Sequence, residues 1–468
     1  MDLGPQGAVK DGAIDPAKDV AHLIHPYTNL DAHASRGPVV IERGEGAYVF
    51  DSNGKRYLEG MSALWCASLG FSERRLVDAA TRQLATLPYY HVFNHRSHPA
   101  AIQLASRLTA IAPEGLNHVL FANSGSEAND TAIKLAWYYN NALGRPKKKK
   151  IISRWGAYHG VTIGAGSLTG VPAMHADFDL PIANVVHAEM PSWYHGARKG
   201  ESREAFAARM LSSFEALVER EGPETIAAFI AEPVNGSGGG VILPPPGYFE
   251  GIQRLLRKHD ILLIADEVIT GFGRTGRMWG CDHFGIRPDM MTVAKALSSA
   301  YMPISGTLVS DAIHDAMKAE SRKIGAFAHG VTYSAHPVCA AVANETLKIY
   351  EERDIVGHVA RMSPRFAERL AALREHPLVG ETRGIGLLGA VEIARDKAER
   401  KPFDAASGVG PYIQARAMEH GVIVRAIRDC VAVCPPLIVD EAQIDELFDG
   451  LRSALDDARE WVLEKGLA

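Results

Sequence analysis

The chain has 468 residues, 47% hydrophobic and 22% charged, which is ordinary globular usage in a length that outgrows one core and calls for a large domain with a smaller companion. Fifty Lys and Arg stand against 55 Asp and Glu, a formal charge of -5, so there is no bulk attraction to phosphodiester backbones or anionic lipid, and neither nucleic acid nor membrane is an expected partner. Five cysteines, Cys66, Cys281, Cys339, Cys430 and Cys434, are spread without any CxxC spacing; that argues against a disulfide framework and a cysteine-based structural zinc site and fits a reducing compartment.

Met1 to Ala21 alternates Asp, Lys, Gly and Pro without the apolar core of a targeting peptide, and no apolar run reaches membrane-spanning length. A soluble cytoplasmic protein is the expectation. Gly46 to Lys55 alternates in polarity and turns at Asn53-Gly54, a hairpin signal. From about Asn117 to Ser310, short apolar runs alternate with longer amphipathic stretches, the pattern of an α/β fold with a covered, mostly parallel sheet. The expected strands are His118–Phe121, Lys150–Ser153, Ala227–Glu232, Ile261–Asp266, Met290–Ala294 and Ile304–Val309. Glu127–Tyr139, Arg203–Glu219 and Pro246–His259 have helical spacing, with Ser126 and Gly247 near the starts. The block Lys147–Lys150 reads as a solvated lead into its strand.

Beyond about Pro337 come helices over Val342–Arg353 and Pro364–Glu375, then short glycine-rich strands at Gly384–Ile393 and Gly421–Val424. The division expected is an N-terminal segment, 1–60, packing with a small C-terminal domain, 337–468, and a large domain, 61–336, between them.

Three segments carry chemistry. His118 to Asp130 runs from a strand through Asn123-Ser-Gly-Ser126 into a helix. Gly125 admits close backbone approach, Ser124 and Ser126 offer hydroxyls, and the helix start offers free N–H groups, so the turn suits a phosphate; Ser126 capping the helix is the plainer alternative. Asp266 and Glu267 follow an apolar strand, at the end where α/β sheets bind ligands. A fixed carboxylate there can keep a pyridinium nitrogen protonated, with Val268, at the next strand position of the same parity, supporting the ring. A metal site or structural ion pair is the alternative, but no histidine pair at ligand spacing accompanies the acids, and no metal is expected. Lys295, in Val293-Ala-Lys-Ala-Leu297, lies among apolar residues where a solvated lysine is out of place. Desolvation favours its neutral amine, the form that makes a Schiff base.

From about His22 onward the sequence resembles the fold-type I pyridoxal-phosphate enzymes, specifically the class III aminotransferases. Four blocks carry the resemblance in order: Asn123-Ser-Gly-Ser-Glu-Ala-Asn129, Trp155-Gly-Ala-Tyr-His-Gly160, Asp266-Glu-Val-Ile-Thr-Gly-Phe-Gly-Arg-Thr-Gly276 and Ala294-Lys-Ala-Leu-Ser-Ser299. It implies a seven-stranded, mostly parallel sheet in the large domain, pyridoxal 5'-phosphate as cofactor, and ping-pong transfer of an amino group between an amine donor and a keto acid. By position it also implies that Gly125 and Ser126 hold the phosphate, Tyr158 stacks on the ring, Asp266 pairs with the ring nitrogen, and Lys295 is both covalent anchor and base. Glu232, His159 and Glu267 take supporting places. Thr332, in His329-Gly-Val-Thr-Tyr-Ser-Ala-His-Pro337, would reach the phosphate of a neighbouring subunit, making the site a property of a homodimer or a dimer of dimers.

The segments Met61-Ser-Ala-Leu-Trp-Cys66 and Tyr89-Tyr-His-Val-Phe93 resemble the aromatic pocket of pyruvate-dependent ω-aminotransferases, with Trp65, Phe93 and Tyr158 as walls. Arg425 matches that group's mobile carboxylate-binding arginine, and Arg428 competes for the role. Ser237 stands where relatives handling glutamate and 2-oxoglutarate place an acid, which favours pyruvate as acceptor. The glycine run Gly238–Gly240 is longer than usual, and Asn235 and Ala335 replace a usual glutamine and glycine. A 2-oxoglutarate-dependent aminotransferase of the 4-aminobutyrate or ornithine type, a same-fold decarboxylase and an aminomutase would share the cofactor residues. A cofactor-binding regulator would need a DNA-binding arm, which the N-terminal segment does not offer.

Overall fold

Local turn chemistry sets the first sheet. Strands β1 (Ile41–Glu45), β2 (Tyr48–Asp51) and β3 (Arg56–Glu59) form antiparallel hairpins. The second turns at Ser52-Asn53-Gly54, as the Asn-Gly signal predicts, with Gly54 at φ +80 and Asp51 Oδ1 accepting the N–H groups of Asn53 and Lys55 at 2.9 Å each. The chain is described here by a computed structural model covering residues 15–467; residues 1–14 of the Met1–Ala21 reading lie outside it.

The central sheet holds β4 (His118–Ala122), β5 (Lys150–Arg154), β6 (Val185–Ala188), β7 (Ile226–Ala231), β8 (Leu262–Asp266), β9 (Met290–Val293) and β10 (Ser305–Val309) in the order β4-β10-β9-β8-β7-β5-β6. β10 runs antiparallel to β4 and β9, and every other pairing is parallel. The α/β architecture follows from composition: every residue of β7, β8, β9 and β10 is buried, so both faces need helical cover. Edge strand β6 was not among the expected strands. Val-Val-His-Ala is short and three-quarters half-exposed, too weak a pattern to distinguish from loop.

The helices Gly125–Ala142, Arg203–Glu221 and Tyr248–Lys258 occupy the three amphipathic stretches, and Gly247 does precede the last, at φ +75. Farther on the structure departs from the sequence reading. One helix spans Ile355–Ala372 with Pro364 inside it. The helix expected over Pro364–Glu375 begins nine residues earlier because the Asp354 side chain accepts the Gly357 N–H and caps it there. Gly384–Ile393 is not one strand but the end of a hairpin, β11 (Val379–Ile385) and β12 (Leu388–Ile393). Its turn residue Gly386 has φ +61, and a Cβ there would lie 2.5 Å from the Arg274 carbonyl oxygen.

Gly421–Val424 holds only the two-residue β13 (Val422–Ile423); β14 (Arg425–Ile427) begins just beyond it and pairs with β15 (Cys430–Val433). β13 lies parallel to β3, Val422 opposite Leu58, and completes a sheet β1-β2-β3-β13; a third sheet runs β11-β12-β15-β14. The two ends of the chain therefore pack together, with the Tyr48 hydroxyl donating to Glu446 at 2.7 Å.

The lysine block needs a correction. Lys148 is buried, and its ammonium donates to the carbonyls of Ile226, His259 and Asp260 at 3.3, 2.9 and 2.8 Å. The last two follow the end of helix Tyr248–Lys258, where carbonyls lose their helical partners. All five cysteines are free, and among the described residues no helix is long and apolar enough to cross a membrane.

Candidate active site

Because β8 and β9 are parallel, Asp266 at the end of one and Lys295 just past the other emerge at the same edge of the sheet. The helix Gly125–Ala142, entered from β4, starts beside them. Between these three ends lies a cavity of about 160 Å³.

The carboxylate end of the cavity is rigid. Asp266 Oδ1 accepts the Val268 N–H at 3.0 Å, and Oδ2 accepts from Asn129 Nδ2 at 2.8 Å and His159 Nδ1 at 2.7 Å. Asn129 is itself fixed, donating to the His159 carbonyl and accepting from Thr292 Oγ1. A buried carboxylate so fully engaged cannot swing. His159 Nε2 is buried with no partner among the described residues.

Opposite stands the amine. Lys295 is enclosed, and burial pushes its pKa below the usual lysine value, opposed in part by the charge of Asp266; the neutral, nucleophilic form is favoured. Its backbone sits at φ +45, a left-handed conformation that a non-glycine residue adopts at a cost, of the kind found where a side chain must be aimed.

At the helix start, Ser124 is the cap: its hydroxyl accepts the Glu127 N–H at 3.2 Å, and Glu127 Oε2 accepts the N–H groups of Asn123 and Ser124. This corrects the alternative that made Ser126 the cap, and it commits the Ser124 hydroxyl to the helix instead of the cavity. Ser126 faces the cavity, and its Oγ accepts the Val161 N–H at 3.1 Å. The N–H groups of Gly125 and Ser126, first in the helix, have no helical carbonyls to bond and can receive an anion.

Tyr158 and Val268 supply walls. Val268 is not on the strand, as its parity suggested: β8 stops at Asp266, and the valine sits in the following turn, with Cγ1 3.2 Å from where a Cβ on Gly125 would lie. Glu232 holds the backbone, accepting the N–H groups of Tyr158 at 3.1 Å and Gly236 at 2.7 Å, and burial pushes its carboxyl up. Glu267, fully buried, faces away: it accepts from Thr270 Oγ1 and the N–H groups of Gly280 and Cys281 and fixes their turn.

Eight sequence candidates therefore meet at one cavity: Gly125, Ser126, Tyr158, His159, Glu232, Asp266, Val268 and Lys295. Others lie elsewhere. Trp65 is buried in an apolar cluster with Met61, Val234 and Ile269; of these only Ile269 reaches the cavity. Phe93 and Thr332 are exposed on the surface, Phe93 against Gly330 and the Thr332 carbonyl accepting from Tyr89 Oη at 2.9 Å.

Two participants escaped the sequence. Asn129 gives no signal alone, since its partners lie 137 and 163 residues away. Tyr27 sits in a polar stretch without periodicity, yet its hydroxyl is 3.3 Å from that of Tyr158. Burial and that bond raise the Tyr27 pKa, and the nearby positive charge of Arg425 works against the rise. The charge of Arg425 is thus felt at Tyr27. Arg428 instead lines a separate cavity of about 430 Å³ with Tyr194, Glu392 and Arg400.

A buried amine, a pinned carboxylate, flat walls and a helix N-terminus form a donor set that fits a phosphorylated pyridine aldehyde. Comparison with known proteins agrees. The family model described as Aminotransferase class-III matches residues 30–455. A relative named gamma aminobutyrate transaminase 3, chloroplastic, from Solanum lycopersicum is 51% identical over 94% of this chain and 85% of its own. A probable gamma-aminobutyrate transaminase 2, mitochondrial, from Oryza sativa subsp. indica is likewise 51% identical, over 94% and 89%. The crystal structure of the omega transaminase from Pseudomonas jessenii in complex with PMP superposes with a TM-score of 0.94 at 50% identity, covering 96% of this chain and 99% of that one. With the family model spanning most of its length and a site built to match, the chain belongs to the class III aminotransferases, transaminases that work with pyridoxal phosphate.

Proposed function

We propose that the enzyme moves an amino group from an ω-amino acid, a diamine or another primary amine to pyruvate, giving alanine. The observation that carries this reading is the 3.3 Å approach of the Tyr27 hydroxyl to that of Tyr158 on the cavity wall, with the positive charge of Arg425 felt at Tyr27, beside a loop without a carboxylate. That loop, Pro233–Gly240, packs against the Tyr158 segment: a Cβ on Gly238 would lie 2.5 Å from the Gly156 carbonyl oxygen. An acid there would compete for Arg425 when an uncharged amine is bound; Ser237 cannot. The relatives' names support 4-aminobutyrate, itself an ω-amino acid, as the first donor to try.

Pyridoxal phosphate supplies the electron sink that makes a carbon beside the transferred nitrogen acidic. The protein does the rest. Gly125 and Ser126 N–H groups receive the phosphate, Tyr158 and Val268 enclose the ring, and Asp266 keeps a proton on the ring nitrogen. Lys295 Nζ would hold the cofactor covalently and, as a free amine, would be placed to take the proton from the amine-bearing carbon and give it back. Glu232 and His159 hold Tyr158 and Asp266 in place. Arg425 binds the carboxylate of the acceptor.

The exposed placing of Thr332 and Phe93 supports a homodimer or dimer of dimers in which both complete the neighbouring site; Trp65 is assigned to the same aromatic pocket behind Ile269. Division into 1–60, 61–336 and 337–468 is proposed with the first and third parts sharing the sheet that joins β3 to β13. A cytoplasmic setting is proposed from five free thiols, against organellar names in the plant relatives.

The test is the visible band of the cofactor-loaded protein as single amines and then acceptors are added. Bleaching by 4-aminobutyrate or another amine without an α-carboxylate, reversed better by pyruvate than by 2-oxoglutarate, is the expected result. Reversal by 2-oxoglutarate alone overturns the acceptor assignment.

A further inference from the structure

Away from the cavity, three metal-ligand side chains converge in the N-terminal segment. Asp19 lies on the helix Pro16–His22, His33 on the helix Leu30–Arg36, and His25 in the turn between. His25 Nε2 stands 2.8 and 3.0 Å from the two Asp19 carboxylate oxygens, and His33 Nε2 stands 3.1 Å from Oδ1. All three ligand atoms lie within 4.8 Å of one another. With bonds of about 2.0–2.2 Å, donors on one zinc ion at angles near 90–110° are roughly 2.8–3.6 Å apart. The two edges from Asp19 to the imidazoles already have such lengths, and the third, between the imidazoles, is within 4.8 Å.

We propose that Asp19, His25 and His33 bind one Zn²⁺ per chain, and that the ion staples the N-terminal segment over the active-site mouth. Two imidazoles and a carboxylate are a zinc set; calcium and magnesium would call for oxygen ligands throughout. The side chains of His33, Asp19 and His25 are 10%, 24% and 27% exposed, so the protein forms one side of the site and water completes the coordination on the other. Without metal the same atoms are hydrogen-bonded, the ring N–H groups donating to Asp19. When the ion enters, each ring proton resides on Nδ1 and the Nε2 lone pair turns to the metal, with no redox step.

The staple matters through position. Tyr27, two residues beyond His25, bonds Tyr158, which lines the cavity. Fixing both helices that flank residues 23–29 fixes the tyrosine that bonds the Tyr158 wall of the cavity. The ion takes no part in amino-group transfer.

The experiment is equilibrium dialysis of tag-free holoenzyme against micromolar ZnCl2, with Asp19→Asn, His33→Ala and the milder His25→Gln alongside. The expected result is one zinc per chain in the parent and at least about tenfold weaker uptake in each variant, with unchanged circular dichroism and cofactor band. Cobalt should give ligand-field absorption that the variants lose. Hydrogen exchange around Tyr27 should slow with zinc in the parent only. No uptake, or equal uptake in parent and variants, overturns the site; uptake without protection around Tyr27 overturns the staple.

Discussion

His159 Nδ1 donates to Asp266 Oδ2 at 2.7 Å, with both side chains removed from solvent. The imidazole fixes the carboxylate from a segment more than a hundred residues away. His159→Ala should leave Asp266 with two donors, costing about 1–3 kcal/mol of stability and weakening cofactor retention. Dialysis of the cofactor and a thermal melt of the holoenzyme check this. Unchanged retention would mean that Asn129 and the Val268 N–H suffice.

Lys295→Ala should abolish the covalent link to the cofactor and reduce turnover by about 10³-fold or more, since nucleophile and base are lost together. Borohydride reduction followed by peptide mass spectrometry reads the link directly. A reduced adduct on any other lysine would remove Lys295 from its role.

Arg425→Ala should raise the KM for the keto acid by about 10- to 100-fold, the loss of a charge-assisted bond to a carboxylate, with little effect on a donor that has none. Arg428→Ala, in the separate cavity, should change neither. Steady-state kinetics on both variants decide between them, and the reverse pattern would exchange their roles.

Glu59, at the end of β3, is buried and accepts the Met61 N–H at 2.9 Å; burial pushes its carboxyl up to about 7. A folded-state value above the unfolded one means that the native chain holds the proton longer, so the favourable contribution is complete below about pH 4.5 and lost as pH rises through about 7. Glu59→Gln should therefore be more stable than the parent at pH 8 by about 1–3 kcal/mol, with the gap closing towards pH 5. Denaturant melts across that range test it; a constant difference would point to packing instead of ionisation.

Thr332 offers a test of subunit sharing. If it completes the neighbouring site, hybrids of Lys295→Ala and Thr332→Ala chains contain one intact site, and mixing two poor enzymes should restore activity towards half that of the parent. Absence of recovery in a verified hybrid would place Thr332 in its own chain's chemistry or in none.

What the sequence made legible was local or strongly patterned. The apolar runs of β7 to β10 and the Asn53-Gly54 turn follow from neighbours in the chain. Lys295 and Asp266 stood out because each is a charged residue at the edge of an apolar run. Asn129 did not, because its meaning comes from Asp266 and Thr292 arriving from distant strands. Lys148 misled for the same reason: three carbonyls from two distant segments turn a lysine in a basic block into a buried one. Pro364 shows the limit of breaker residues, since a well-capped helix continued through it.

The pairing of β13 with β3 has a consequence for synthesis. Leu58 emerges from the ribosome early, but its partner Val422 arrives only after most of the polypeptide has been made. Until then β3 presents an open edge, and open edges recruit foreign strands. The last stretch of translation thus ends a period of exposure, and a message truncated before Val422 would yield chains predisposed to aggregate even with every cofactor-binding residue in place.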